Sequence, residues 1–101
     1  RCRHQIAQKL HAVTNGGDRA RDLVDLQLIV HNCEIDLPTV RNTCVRLFVY
    51  RKAQEWPPAV IKQTGWNGLY TEQSSGLPVL QSVEEAIDWA NSFIKRIDEA
   101  I

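Results

Sequence analysis

Apolar residues recur along the chain at the three-to-four-residue spacing of one helix face, rather than alternating as they do in a half-buried strand. Cys2, Ile6, Leu10 and Val13 fall on one face of a first helix over 3–14. Asn15-Gly16-Gly17 stops it, because glycine readily takes the positive φ that follows a helix C-terminus. A second stripe, Leu23, Leu26, Ile29, Val30 and Cys33, predicts a helix capped by Asp18 and running to about residue 33. Asp36 then caps a third, with Pro38 in its first turn and Leu37, Val40, Cys44, Leu47 and Phe48 as its buried face. It ends ahead of Pro57-Pro58, since a proline pushes the preceding residue out of helical geometry.

The second half is less regular. Val60, Ile61, Trp66, Leu69 and Tyr70 make an apolar face that Gly65 and Gly68 interrupt, each at a cost of about 1 kcal/mol inside a helix. One interrupted helix or two short ones are expected over 59–72, then a loop at Ser74-Ser75-Gly76 and an extended Leu77-Pro78-Val79-Leu80. Ser82-Val83-Glu84-Glu85 forms a capping box, in which the serine hydroxyl and a glutamate satisfy free amides reciprocally. Val83, Ala86, Ile87, Ala90, Phe93, Ile94 and Ile97 continue that last helix. The pattern predicts a single all-α domain over 1–101, a bundle of four to five helices. Its core is expected to hold Ile6, Leu10, Leu26, Val30, Cys44, Phe48, Ile87, Phe93 and Ile94.

Composition sharpens this. A chain of 101 residues with 44% apolar and 24% charged residues buries enough surface to fold without staples, and whole-chain disorder is excluded. Lys+Arg and Asp+Glu are both 12, so net charge is zero; this argues against a strongly basic nucleic-acid-binding domain while leaving room for a local basic patch. No apolar run approaches the roughly 20 residues of a membrane span, and no signal peptide is present. The three cysteines, Cys2, Cys33 and Cys44, are odd in number and lack Cys-x-x-Cys spacing, which reads as unpaired thiols in a reducing cytoplasm. There is no Met, and the opening Arg1-Cys2-Arg3-His4 is already helix-like, so the chain reads as a piece of a longer protein.

Candidate chemistry concentrates in the first helices. Lys9 lies at the margin of its apolar face, where a lysine can aim its ammonium into a groove or simply snorkel. Arg19, Arg21, Asp22 and Asp25 crowd the first turns of the second helix, whose free amides and arginines favour an anion such as phosphate. Asp22 and Asp25 are three apart and share a face; a carboxylate there can bind a divalent cation, orient a hydroxyl or accept a proton. The plainer reading is an exposed helix start with ion pairs worth about 0–1 kcal/mol. The short glycine loop makes the two helices antiparallel neighbours, so Lys9 and Asp22 should open onto one surface with Arg19 and Arg21 at its rim. His4 and His11 share a face without a third ligand, and His31, Cys33 and Cys44 lack zinc-site spacing. Trp66 and Trp89 are expected to pack helix on helix, with Trp56 against the Pro57-Pro58 turn.

Gln5-Ile6-Ala7-Gln8-Lys9-Leu10-His11-Ala12, followed by Arg19-Ala20-Arg21-Asp22-Leu23-Val24-Asp25-Leu26, resembles the C-terminal motifs of AbiEii/AbiGii-type nucleotidyltransferase toxins. Those read approximately E-K-L-x-A, a short loop, then R-x-K-D-x-x-D-L. The resemblance implies a two-lobed protein whose N-terminal lobe, of the DNA-polymerase-β type, carries a Gly-Ser motif and paired aspartates that hold Mg²⁺. This sequence contains neither and looks like the helical C-terminal lobe. By the same resemblance Lys9 contacts the nucleoside triphosphate and Asp22 is needed for activity; Arg19 and Arg21, from their place at the helix start, are expected to bind nucleotide phosphate, with Asp25 a further candidate for nucleotide binding. Mg²⁺ and a nucleoside triphosphate are implied for the whole protein, with no metal held by this chain. The implied activity is nucleotide transfer, to tRNA in related toxins, with an antitoxin as protein partner. Two departures stand out: Arg21 replaces the usual Lys, a planar fork for a compact ammonium, and Gln8 replaces a common Glu. The competing expectation is a non-catalytic helical module that binds a protein such as an antitoxin.

Overall fold

The apolar stripes become five helices in the computed structural model, which describes residues 2–100: α1 (Cys2–Val13), α2 (Ala20–His31), α3 (Leu37–Arg51), α4 (Trp66–Ser74) and α5 (Val83–Asp98). No strand occurs among the described residues. α1 packs on α2 and α3, α2 on α4, α4 on α5 and α5 on α3, so the helices close a ring. Ile6, Leu10, Leu26, Cys44, Phe93 and Ile94 are buried inside it, each large side chain contributing about 1.5–3 kcal/mol. Trp66 and Tyr70 of α4 are buried completely. Val30 and Ile87, expected in the core, are only partly buried at its edge.

Several boundaries differ from expectation for local reasons. Gly16 and Gly17 take φ of 83° and 79° and reverse the chain after α1. The Arg19 amide then donates to the Gly17 carbonyl at 2.9 Å, so α2 starts at Ala20 with Arg19, not Asp18, in the cap position. Asp36 does sit at the α3 cap, but its carboxylate accepts the Thr39 hydroxyl instead of a backbone amide. α3 stops at Arg51, where Lys52 turns left-handed at φ 59°, well ahead of the prolines. Residues 59–64 are not helical. Asn91 of α5 pins them by accepting the Val60 amide at 2.8 Å and donating to its carbonyl at 3.2 Å. The break falls at Gly65, whose φ of 87° precedes α4, while Gly68 is accommodated inside that helix. Ser82 caps α5 by accepting the Glu85 amide.

Trp56 and Trp89 are both partly buried against the core. Trp56 packs edge-on to Phe48, ring centroids 5.4 Å apart, and donates to Asp98 at 2.9 Å, so it ties α3 to α5. Trp89 stacks on Phe93 of its own helix, with centroids 5.5 Å apart.

The cysteine reading is corrected too. Cys2 and Cys33 form a disulfide, with sulfurs 2.07 Å and Cα atoms 6.5 Å apart. The antiparallel fold-back of α2 along α1 carries the start of the first to the end of the second, which sequence spacing alone does not display. With two of the three cysteines paired, the argument for a reducing cytoplasm loses its basis. No helix among the described residues is long and apolar enough to cross a membrane. Cys44 remains a thiol, and burial pushes its pKa up to about 12, so it is protonated and chemically quiet.

Candidate functional site

The reversal at Gly16–Gly17 lays the last turns of α1 against the first turns of α2, and the five residues singled out from the sequence meet there. Lys9 Nζ lies 3.1 Å from Asp22 Oδ1 and 3.0 Å from Asp25 Oδ2. Arg19 Nε reaches Asp22 Oδ2 at 2.9 Å, and Arg21 Nε reaches Asp25 Oδ1 at 3.2 Å. Three cations therefore hold two carboxylates, with one positive charge in excess. The cluster is nested. The Asp22 side chain is 10% exposed and Lys9 32%, whereas Arg19 and Arg21 are 50% and 59% exposed. The plainer reading of an exposed helix start holds for Arg19 and Arg21 but not for Asp22, which is buried.

This arrangement limits the chemistry. Burial works to lower the Lys9 pKa, but hydrogen bonds to Asp25 and Asp22 and their charges outweigh it and hold the ammonium above the ordinary lysine value. Lys9 is a fixed positive charge at neutral pH, neither a base nor a nucleophile. Both Asp22 oxygens are engaged by cations, as are both of Asp25, so the pair is already charge-compensated by three cations. No group of three or more His, Cys, Asp or Glu side chains able to hold a metal exists among the described residues. Arg19 and Arg21 meet the carboxylates through Nε, and their side chains are 50% and 59% exposed.

Beside the cluster sits a feature that sequence reasoning missed. His11 is buried, and its Nδ1 lies 3.3 Å from Arg51 Nη1 at the end of α3. Its ring packs edge-on to Phe48, and its Nε2 is buried without a partner. Gln54 donates to the His11 carbonyl at 3.0 Å and to the Thr14 hydroxyl at 2.6 Å, closing the end of α1. Burial lowers the His11 pKa and the Arg51 charge lowers it further, which keeps the imidazole neutral. Periodicity marked His11 only as a face-mate of His4, which is exposed; nothing local signals a partner 40 positions away. His31 is exposed, Cys33 is committed to the disulfide and Cys44 is buried, so they make no ligand set.

Comparison with known proteins finds no family model that matches the chain and no match among curated proteins.

Proposed function

We propose that the chain is the helical lobe of an AbiEii-like nucleotidyltransferase, in which Lys9, flanked by Arg19 and Arg21, contacts the triphosphate of a nucleotide. One observation supports the reading above all. The residues that carry the motif resemblance converge on a single cationic cluster, with Lys9 Nζ 3.0–3.1 Å from both motif aspartates. In this reading Asp22 and Asp25 are positioning residues: they orient the lysine and the two guanidiniums toward the phosphates. Phosphoryl transfer depends on fixed positive charge and alignment, which such a cluster supplies. The Mg²⁺ implied by the resemblance belongs with carboxylates outside this chain, because Asp22 and Asp25 are already compensated by Lys9, Arg19 and Arg21. The acceptor is RNA, with tRNA the class named by the resemblance.

The test uses the natural protein that contains this chain and follows labelled nucleotide into RNA. Lys9→Gln and Arg19→Gln are preferred to Asp22→Ala, since the buried Asp22 also supports the fold. Each should lower transfer by about 10²–10³-fold, the usual loss when one charge-stabilising donor is removed. Nucleotide KM should rise while the melting temperature stays within a few degrees. Transfer at the wild-type rate in both variants would refute the assignment.

A further inference from the structure

A basic furrow runs between α1 and α3, on a stripe of α1 distinct from the one that carries Lys9. The two helices are parallel: Cys2 and Arg3 lie beside Thr39 and Val40 at one end, and His11 beside Arg51 at the other. α1 contributes Arg3, Ala7 and His11, one position per turn at intervals of about 6 Å, and the loop after it contributes Asn15. Ala7, small and buried, lets the furrow floor sit low. α3 contributes Arg46, Tyr50 and Arg51. Two separate hollows lie along the furrow, one of about 290 Å³ lined by Arg3, Ala7, Arg46 and Tyr50, and one of about 300 Å³ at the end of α1 lined by His11, Arg19 and Arg51.

Its charge is one-sided. No carboxylate lines either hollow. Arg3, Arg46 and Arg51 form no ion pair among the described residues, and Arg19 at the upper end is shared with Asp22. The nearest acids along the furrow, Glu34 and Asp36, lie past its Cys2 end and terminate it. Among these arginines Tyr50 stands 82% exposed. An ordinary surface disperses its charges; here Arg3, Arg46 and an open aromatic ring line one hollow and Arg51 the next, in a chain of zero net charge.

We propose that this furrow binds single-stranded RNA, with Arg3, Arg46 and Arg51 on successive phosphates and a base stacked on Tyr50. A cationic track with an aromatic platform is the common design of single-strand binding, because every base offers a flat face and every linkage a charge. An acidic peptide would satisfy the arginines but leave Tyr50 without a partner suited to its ring. The inference rests on the furrow alone and is independent of the transferase reading, so failure of one leaves the other intact.

Fluorescence anisotropy of a labelled oligouridylate of about 12 nucleotides, titrated with the disulfide-intact chain, tests it. Saturable binding is expected. It should weaken roughly 20-fold when salt is raised from about 50 to about 200 mM, the dependence for three phosphate contacts on a single strand. Tyr50→Ala should weaken it about 5- to 150-fold, the range for one lost base stack. Arg46→Gln should weaken it and reduce the salt dependence, while Arg96→Gln on α5 changes neither. Tyr50, Arg46 and Arg96 are surface residues, and unchanged melting curves will show that the variants fold. Absence of saturable binding up to about 1 mM protein, beyond ordinary non-specific affinity, would overturn the proposal. So would equal affinity in wild type and Tyr50→Ala, equal binding of an RNA duplex, or displacement by polyglutamate as effective as by unlabelled oligouridylate.

Discussion

His11 faces the Arg51 guanidinium with only 5% of its surface exposed, and that pairing makes a measurable pH dependence. Burial and the neighbouring cation lower its pKa in the folded chain below the unfolded value of about 6.5. The unfolded chain therefore takes up this proton first as pH falls. The contribution to stability is complete above about pH 7 and is lost as pH drops through 6.5 toward the lowered folded value. Denaturant midpoints measured between about pH 7.5 and 5 should fall in the wild type. The fall should shrink in His11→Gln, which removes the buried imidazole. An unchanged profile in His11→Gln would show that this residue is not the titrating group. The contrast with Lys9 is instructive. The periodicity of α1 and the short Gly16–Gly17 turn together made the Lys9–Asp22 encounter legible, since both are local features of one hairpin. Arg51 arrives at His11 from the far end of α3, and no spacing within either helix encodes that meeting.

At the scale of elements, the same hairpin explains what the cysteines hid. Cys2 lies 14 positions before Gly16 and Cys33 lies 16 after Gly17, so a fold-back at the glycines brings them to the same end. Applying the antiparallel argument to the whole of both helices would have found the pair; parity and Cys-x-x-Cys spacing could not. The bond spans a sequence separation of 31, and closing such a loop contributes about 3–4 kcal/mol by the chain-entropy account. Reduction, or Cys2→Ser, should lower the melting temperature by more than about 10 °C, at about 4–8 °C per kcal/mol for a domain this size. Native protein treated with an alkylating reagent should yield no modified thiol, and unfolded unreduced protein only one, at Cys44. A melting temperature indifferent to reductant would show that the hairpin does not need its staple. Other elements were legible to the degree that local chemistry alone decides them. Ser82 and the stripe of α5 define a helix without outside help. The start of α2 and the extended 59–64 segment depend on a turn hydrogen bond and on Asn91, which lie outside their own patterns.

For the whole molecule, closure of the ring falls to its weakest member. α4 has nine residues, too few to be stable as an isolated helix, and its capping residue Gly65 offers no side chain. Tertiary bonds hold it. Trp66 Nε1 donates to the Gly17 carbonyl at 2.9 Å, so α4 grips the very loop that sets Lys9 against Asp22. The Tyr70 hydroxyl donates to the Leu80 carbonyl and accepts from Gln27 Nε2 at 2.8 Å, while Gln27 Oε1 accepts the Leu80 amide at 2.9 Å. Gln27 and Tyr70 are buried, so this small network joins α2, α4 and the segment before α5 from inside the core. Tyr70→Phe keeps the ring and its packing but leaves one Gln27 N–H without its acceptor and the Leu80 carbonyl without its donor. Such a loss costs about 1–3 kcal/mol. If α4 completes a single cooperative unit, far-ultraviolet circular dichroism and tryptophan fluorescence should report one transition, and Tyr70→Phe should shift both to lower temperature together. A Trp56→Phe, Trp89→Phe background makes the test specific, because the remaining indole, Trp66, lies within α4 while most of the helical signal comes from the other four helices. A fluorescence transition that separates from the dichroism transition in Tyr70→Phe would mean that α4 melts alone, and that the hairpin carrying the charged cluster is organised without it.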